Sequence, residues 1–136
     1  MIESDTLSVL QKATTAAVAA STLATLPVKY VDQRTFKVPD DQKYLECVFI
    51  PNNSDTQYYG DEKQYQGLYR LLLHWPIDNG SAYRPMQLLE SICGYFSKGR
   101  FLGPVKIAAV PNMTGIVVNG ADTIYAASIR YARFEA

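Results

Sequence analysis

The sequence has few of the side chains that bind metal ions. Among its 136 residues there are two cysteines, Cys47 and Cys93, and one histidine, His74. A structural zinc site needs about four such ligands at short spacings, so this set excludes one. No glycine-rich phosphate loop follows a predicted strand either. We therefore predict no metal ion and no other cofactor, and we expect both cysteines to be free, buried, small apolar residues.

The sequence also lacks a long hydrophobic run and an excess of charge of one sign. No apolar run reaches the roughly 18 residues of a membrane span, and residues 1–5 do not have the composition of a signal peptide. We therefore expect a cytosolic protein without membrane contact. Thirteen Lys and Arg balance thirteen Asp and Glu. This balance does not favour a polybasic nucleic-acid binder or an acidic disordered tail, but it permits close self-association.

One small basic cluster remains as a candidate nucleic-acid contact. Lys98, Arg100 and Lys106 lie close together in the sequence, with Phe101 between them. Nucleic-acid binders normally carry a larger positive surface than three residues. We favour the interpretation that these residues follow a helix, where basic side chains interact favourably with the helix dipole.

Composition and periodicity predict one α+β domain over residues 1–136. Hydrophobic residues make up 48% of the chain and charged residues 19%, which is typical of a globular domain with a proper core. The patterns predict a helix from Ser4 or Asp5 that ends before Pro27, strands at 44–50 and 67–75, a helix at 82–98, and strands at 105–109 and 123–134. Residues 111–122 read as a loop or irregular hairpin. The predicted order is α-β-β-α-β-β, with an antiparallel or mixed sheet of at least four strands and two helices packed on one face.

Two of these elements have clear apolar faces. In the strand at 44–50, Leu45, Cys47 and Phe49 alternate with Tyr44, Glu46 and Val48. In the second helix the apolar residues recur every three or four positions, at Met86, Leu89, Ile92 or Cys93, and Phe96. We expect these residues to form part of the core.

A long polar segment, residues 52–66, separates the first two predicted strands. It contains Tyr58, Tyr59 and Tyr65, and loops of this length are uncommon in compact domains unless they bind something or are disordered. Tyrosine and arginine are enriched in interface cores. We therefore predict a long hairpin arm, and an interface formed by its three tyrosines together with Arg130 and Arg133 of the final strand. The ten tyrosines are equally compatible with ordinary exposed sheet faces.

His74 is the candidate catalytic residue of the chain. Catalysis would require a carboxylate to orient the imidazole and a nucleophile such as Ser91 or Cys93 to face it. The sequence places neither next to His74, and the paired acids at 40–41 and 61–62 are typical of solvated loops. We therefore predict a structural or exposed histidine and no catalytic residues, and we keep a small cytosolic enzyme using His74 as the rival hypothesis.

The layout resembles the tail terminator proteins of long-tailed bacteriophages, from about Ser4 onward. The shared pattern is an N-terminal helix, a strand at 44–50, a polar arm, a strand at 67–76, an amphipathic helix at 82–98, and a closing strand whose end, 129–134, carries aromatic and basic residues. The resemblance is one of order and spacing, without a catalytic motif.

The resemblance implies a structural protein of the virion tail, assembled in the host cytoplasm, and no enzyme activity. Such proteins form a hexameric ring that caps the head-proximal end of the tail tube, stops its polymerisation and offers a surface to head completion or neck proteins. The implied partners are other copies of the chain, the tail tube protein, a head completion or neck protein, and DNA that passes without sequence-specific binding. A neck or head-to-tail connector role is the alternative within the same class.

Overall fold

The protein is described by a computed structural model that covers residues 2–21, 25–31, 33, 35–39, 43–51, 63–76, 83–119 and 122–135. These residues form an α+β fold, as predicted. In chain order the elements are α1 (Ile2–Ala19), β1 (Val28–Lys29), β2 (Tyr44–Pro51), β3 (Lys63–Pro76), α2 (Tyr83–Cys93), β4 (Phe101–Leu102), β5 (Val105–Ile107), β6 (Asn112–Asn119) and β7 (Asp122–Glu135).

All the described strands belong to one mixed sheet. Its centre is antiparallel: β3 pairs with β2 on one side and with β7 along its whole length on the other. Two strands share the far side of β7, with β6 along its N-terminal half and β5 near its C-terminal end, and β4 lies beyond β5. β1 adds two residues parallel to β2 at the opposite end of the sheet.

Register and alternation divide the long strands into two faces. Leu45, Leu73 and Tyr125 lie side by side, so they point to the same side of the sheet. We name this side the helix face; its buried residues are Leu45, Cys47, Tyr69, Leu71, Leu73, Tyr125, Ala127, Ile129 and Tyr131. The residues between them form the opposite side, which we name the open face: Tyr44, Glu46, Val48, Ile50, Leu68, Arg70, Leu72, His74, Ile124, Ala126, Ser128 and Arg130.

One hydrophobic cluster joins both helices to the helix face. Its members from α1 and α2 recur at helical spacing, and Phe96 follows α2. The helical residues are Leu10, Ala13, Ala17 and Val18 of α1 and Leu88, Leu89 and Ile92 of α2. The predicted packing of two helices on one face is therefore confirmed, as are the two faces predicted for β2.

The boundaries of both helices differ from the prediction. α1 begins at Ile2, so Ser4 and Asp5 lie inside it rather than capping it, and it ends at Ala19 rather than near Pro27. α2 ends at Cys93 instead of continuing to residue 98. Beyond it, the backbone tightens into three-residue turns, with the amides of Tyr95 and Phe96 donating to the carbonyls of Ile92 and Cys93. Apolar spacing alone did not reveal this change of geometry.

The predicted element order was incomplete. The short strands β1 and β4 are additional, and residues 112–119, which we assigned to a loop or irregular hairpin, form strand β6. The predicted arm at 52–66 is only partly open to comparison, because residues 52–62 lie outside the described residues. Its last four residues, 63–66, are not loop but the first residues of β3, paired with β7.

Candidate subunit interface

Of the five predicted interface residues the structure describes three, Tyr65, Arg130 and Arg133, and it does not place these three on one surface. Tyr58 and Tyr59 lie outside the described residues. Tyr65 is in β3, directly opposite Arg133 of β7, so these two positions share the helix face. Arg130 lies on the open face, three residues before Arg133 on a strand whose side chains alternate. The two arginines therefore point to opposite sides of the sheet.

Arg133 is engaged within its own chain. Its Nη1 donates to the Asp5 carboxylate at 2.7 Å and lies 3.4 Å from the Thr6 hydroxyl, both on α1. The arginine side chain is only 11% exposed. This ion pair ties the end of β7 to the first turn of α1, which gives Arg133 a role in holding the fold together.

Arg130, by contrast, is exposed beside an open cleft of about 320 Å³. Gln66 and Leu68 of β3, Ala132 of β7 and Ala108 line the cleft together with Arg130. The amide of Ala108 donates to the carbonyl of Arg130 at 2.9 Å, which continues the pairing just beyond β5. An exposed guanidinium beside a shallow cleft can donate several hydrogen bonds to a carboxylate on another molecule.

Gly67 also lines this cleft, at a point where β2, β3 and the Tyr131 ring meet. A Cβ at this position would lie 2.5 Å from the carbonyl oxygen of Ile50 and 2.7 Å from the hydroxyl of Tyr131. Both distances are shorter than van der Waals contact, so glycine is required here by close approach rather than by an unusual backbone conformation. Its missing side chain lets Tyr131 lie against β3 and stack on Phe49 at 5.6 Å.

His74 is buried on the open face, in the structural role that the sequence favoured. Its Nε2 lies 2.9 Å from Oε1 of Glu46, and its ring stacks on Tyr44 with a centroid separation of 4.2 Å. Lys29 lies 3.8 Å from the other carboxylate oxygen of Glu46. We did not expect a carboxylate partner, because Glu46 is 28 residues away in sequence; the pairing of β2 with β3 brings it close.

The catalytic alternative for His74 is not supported by this arrangement. Ser91 and Cys93, the proposed nucleophiles, belong to α2, which packs on the helix face. His74 lies on the open face, so the sheet separates the imidazole from both residues. A carboxylate and a stacked ring fix the histidine in place but do not complete a nucleophilic site.

The helix face also buries polar groups, the hydroxyls of Thr14 and Tyr69, beneath α1. Thr14 donates from its hydroxyl to the carbonyl of Leu10 at 2.8 Å and lies 2.7 Å from the hydroxyl of Tyr69. Burial raises the pKa of Tyr69 above its usual value and raises the pKa of the neighbouring Cys47 thiol to about 11. These groups remain protonated near neutral pH, so they satisfy one another as hydrogen-bonding core residues rather than act as nucleophiles.

The basic cluster is present at the surface, but not for the reason we predicted. Lys98, Arg100, Phe101 and Lys106 are all exposed. α2 ends at Cys93 and has no basic residue in its last turn, so a helix-dipole role for the cluster is wrong. Arg100 instead lies 4.0 Å from the centre of the Tyr95 ring and donates to the Tyr95 carbonyl at 2.8 Å.

Among the described residues, no group of three or more His, Cys, Asp or Glu side chains is placed to hold a metal ion. None of the helices described is long and apolar enough to cross a membrane. Cys47 and Cys93 are both free thiols; Cys47 is buried as predicted, whereas Cys93 is only half-buried.

Comparison with known proteins identifies a family and a fold. A family model described as "Phage tail terminator protein" matches residues 9–131. Six chains of solved structures also match. One of them superposes with a TM-score of 0.73 at 21% sequence identity, covering 93% of this chain and 91% of its own, which shows a shared fold. No curated protein matches the chain.

Proposed function

The chain belongs to the phage tail terminator family, and we propose that it forms a hexameric ring on the head-proximal end of the tail tube. In this role the ring stops tube polymerisation and presents a surface to a head completion or neck protein. DNA passes through the ring without sequence-specific binding. The family is one of structural proteins of the phage tail rather than of enzymes.

The extent of the family match is the observation that supports this proposal most. Residues 9–131 run from α1 into the second half of β7, so the match includes both helices and every strand described. The match therefore concerns the whole architecture rather than one motif. The arrangement around His74, which lacks a nucleophile from α2, agrees with a structural role.

A closed ring requires an interface in which two different surfaces of the chain meet head to tail. We assign Arg130 and the tyrosines of the arm, Tyr58, Tyr59 and Tyr65, to contacts with a neighbouring subunit or with the end of the tube. The exposed guanidinium of Arg130 beside its cleft supports a polar contact there. Arg133 makes no direct contact in this proposed interface, because its guanidinium already binds Asp5. It contributes indirectly, by holding α1 against the end of β7.

The ring itself can be tested with the purified chain. Six chains of 15.2 kDa would give a particle of about 91 kDa by light scattering, alone or with tail tube protein. Added during tube polymerisation, the protein should bind one end and stop growth, which electron microscopy of tube lengths would detect. A monomer at all concentrations that also leaves tube length unchanged would overturn the proposal. A ring that binds head completion protein but never tubes would instead indicate a connector.

The arm can be tested by a deletion that leaves β3 intact. The linker joins Pro51, the last residue of β2, to Lys63, the first residue of β3. Pro51 pairs with Gly67, and Lys63 lies four residues before Gly67 in β3, so the linker must span roughly 13 Å. Removing residues 56–61 leaves five linker residues, enough for that distance. We expect a variant with an unchanged melting temperature that no longer assembles. The double variant Tyr58→Ala, Tyr59→Ala keeps the length and is the matched control for the side chains. Normal assembly by both variants would remove the arm from the interface.

A further inference from the structure

Two edges of the sheet carry backbone groups that pair with no described strand. β6 pairs with β7 on one side, and none of the described strands lies along its other side. β2 pairs with β3 over its whole length, but β1 meets its other side only at Leu45 and Glu46. Residues 47–51 of β2 and the outer side of β6 therefore present amide and carbonyl groups that an additional strand could bind.

Neither edge carries the charges by which sheet edges normally avoid pairing with other chains. Residues 115–119 of β6 read Gly-Ile-Val-Val-Asn and residues 47–51 of β2 read Cys-Val-Phe-Ile-Pro, with no charged side chain in either. Ile116 is 48% exposed and Ile50 is 43% exposed. Uncharged, apolar edges of this kind are expected to aggregate unless a partner covers them.

One protective feature is present on β6, but it leaves most of the strand regular. The register shifts between Met113 and Gly115, a bulge that would hinder pairing at the beginning of the strand. From Gly115 to Asn119 the pairing with β7 is continuous. This regular segment has five residues, the same length as the uncovered part of β2.

The directions of the strands make these two edges complementary. β2, β3, β7 and β6 lie side by side in that order, and each neighbouring pair is antiparallel. β6 therefore runs opposite to β2. Rotation about a ring axis preserves strand direction, so β2 of the next copy would meet β6 antiparallel. Within one copy, Val117 lies level with Tyr44 through Ile124 and His74. Bringing Val48 of the next copy opposite Val117 is therefore a shift of four residues, about 13 Å, across four strand spacings of about 19 Å in total. Strands inclined by about 35° to the ring axis, as in closed sheets, give this shift. An odd number of strands between the edges would have given a parallel pair instead.

We propose that β6 of one copy pairs antiparallel with β2 of the next copy, residues 115–118 against residues 47–50 with Val117 facing Val48, so that the sheet continues from subunit to subunit. This inference rests on the proposed ring, because it names the ring's interface. The position of the two edges favours a second copy over another protein. They lie on opposite sides of the β3–β7 pair, which is the arrangement that a closed head-to-tail contact uses.

Cross-linking tests the pairing directly. Val117 and Val48 occupy open-face positions, opposite Ile124 and Arg70 respectively. Facing residues of paired strands have Cβ atoms about 5 Å apart, which suits a disulfide. Under mild oxidation we expect the full-length variant Val117→Cys, Val48→Cys to form a ladder that ends at a hexamer. Val117→Cys, Ile50→Cys tests the neighbouring register. The matched control, Ile116→Cys with Val48→Cys, places the thiols on opposite faces and should cross-link poorly.

A charge on the edge tests the same contact by disruption. Ile116→Lys changes an exposed side chain, so we expect an unchanged melting temperature and at least a tenfold loss of association. Val38→Lys is the control, since Val38 is 50% exposed and belongs to no strand. If Ile116→Lys does not fold, the cross-links alone decide the question.

The possible failures of the two proposals are distinguishable. An intact ring from Ile116→Lys, together with no ladder from either same-face pair, would overturn the edge pairing and leave the ring standing. A ring that persists but no longer binds tubes would show that the edge serves the tube protein, which also overturns the inference. A wild-type chain that neither forms rings nor acts on tubes would overturn both proposals.

Discussion

The two faces of the sheet differ in what covers their side chains. On the helix face, α1 and α2 cover a predominantly apolar set of residues, and Leu45, Leu71 and Leu73 are fully buried. On the open face, aliphatic residues alternate with charged and polar ones, and Glu46 and His74 satisfy each other at 2.9 Å. The comparison indicates that the helix face provides most of the stability, whereas the open face tolerates polar groups because less of it must be buried.

The sharpest test compares two adjacent leucines of β3. Leu71 is fully buried on the helix face, and Leu72 is half-buried on the open face. Leu71→Ala should lower the free energy of unfolding by roughly 2–5 kcal/mol, since it removes buried methyl groups and leaves a cavity. Leu72→Ala should cost less than about half as much. Denaturant titration measures both, and equal losses would show that the two faces contribute alike.

A smaller loss is expected where β2, β3 and Tyr131 meet. Gly67→Ala forces the Ile50 carbonyl and the Tyr131 hydroxyl to move, which should cost roughly 1–3 kcal/mol. Gly115→Ala is the matched control in a strand, because a Cβ there meets nothing within 4 Å. We expect its effect to stay within about 0.5 kcal/mol. Thermal melts of the two variants would contradict the steric explanation if their midpoints shifted equally.

The smallest effect is expected on the open face, at His74. His74→Ala removes the contact with Glu46 and the stack on Tyr44, which should cost about 1 kcal/mol and leave assembly unchanged. His74→Gln is the control, because its amide can still donate to the Glu46 carboxylate. Loss of assembly by a fully folded His74→Ala variant would give this residue a direct functional role.

Features with a local cause were predictable from the sequence. The alternation of Leu45, Cys47 and Phe49 identified the inward side of β2, and helical spacing identified Leu89 and Ile92 as core residues of α2. Both patterns arise within one element, where the backbone geometry fixes which side chains share a face. The final strand was predicted for the same reason and differs from β7 by only a residue at each end.

Features that depend on partners distant in sequence were not predictable. Gly115 and the Asn119-Gly120 pair left a loop or an irregular hairpin open for residues 111–122, and the structure decides between them, because residues 112–119 pair antiparallel with β7 with a register shift at Gly115. Glu46 and His74 meet because β2 and β3 pair in a register that the long connection between them conceals.

The separation of Arg130 from Arg133 could have been predicted. The two residues are three positions apart on one strand, and side chains alternate along a strand, so they must point to opposite faces.

The low reactivity expected of the two native cysteines makes the chain well suited to site-specific labelling. Cys47 is buried and Cys93 is half-buried, and loss of contact with water raises the pKa of each thiol to about 11. Both therefore stay largely protonated near pH 8, whereas the thiolate is the form that reacts with maleimides. A cysteine introduced on an exposed edge would therefore take up dye far faster than either native residue. The number of dyes on a single particle would then count its subunits, with the native sequence otherwise unchanged.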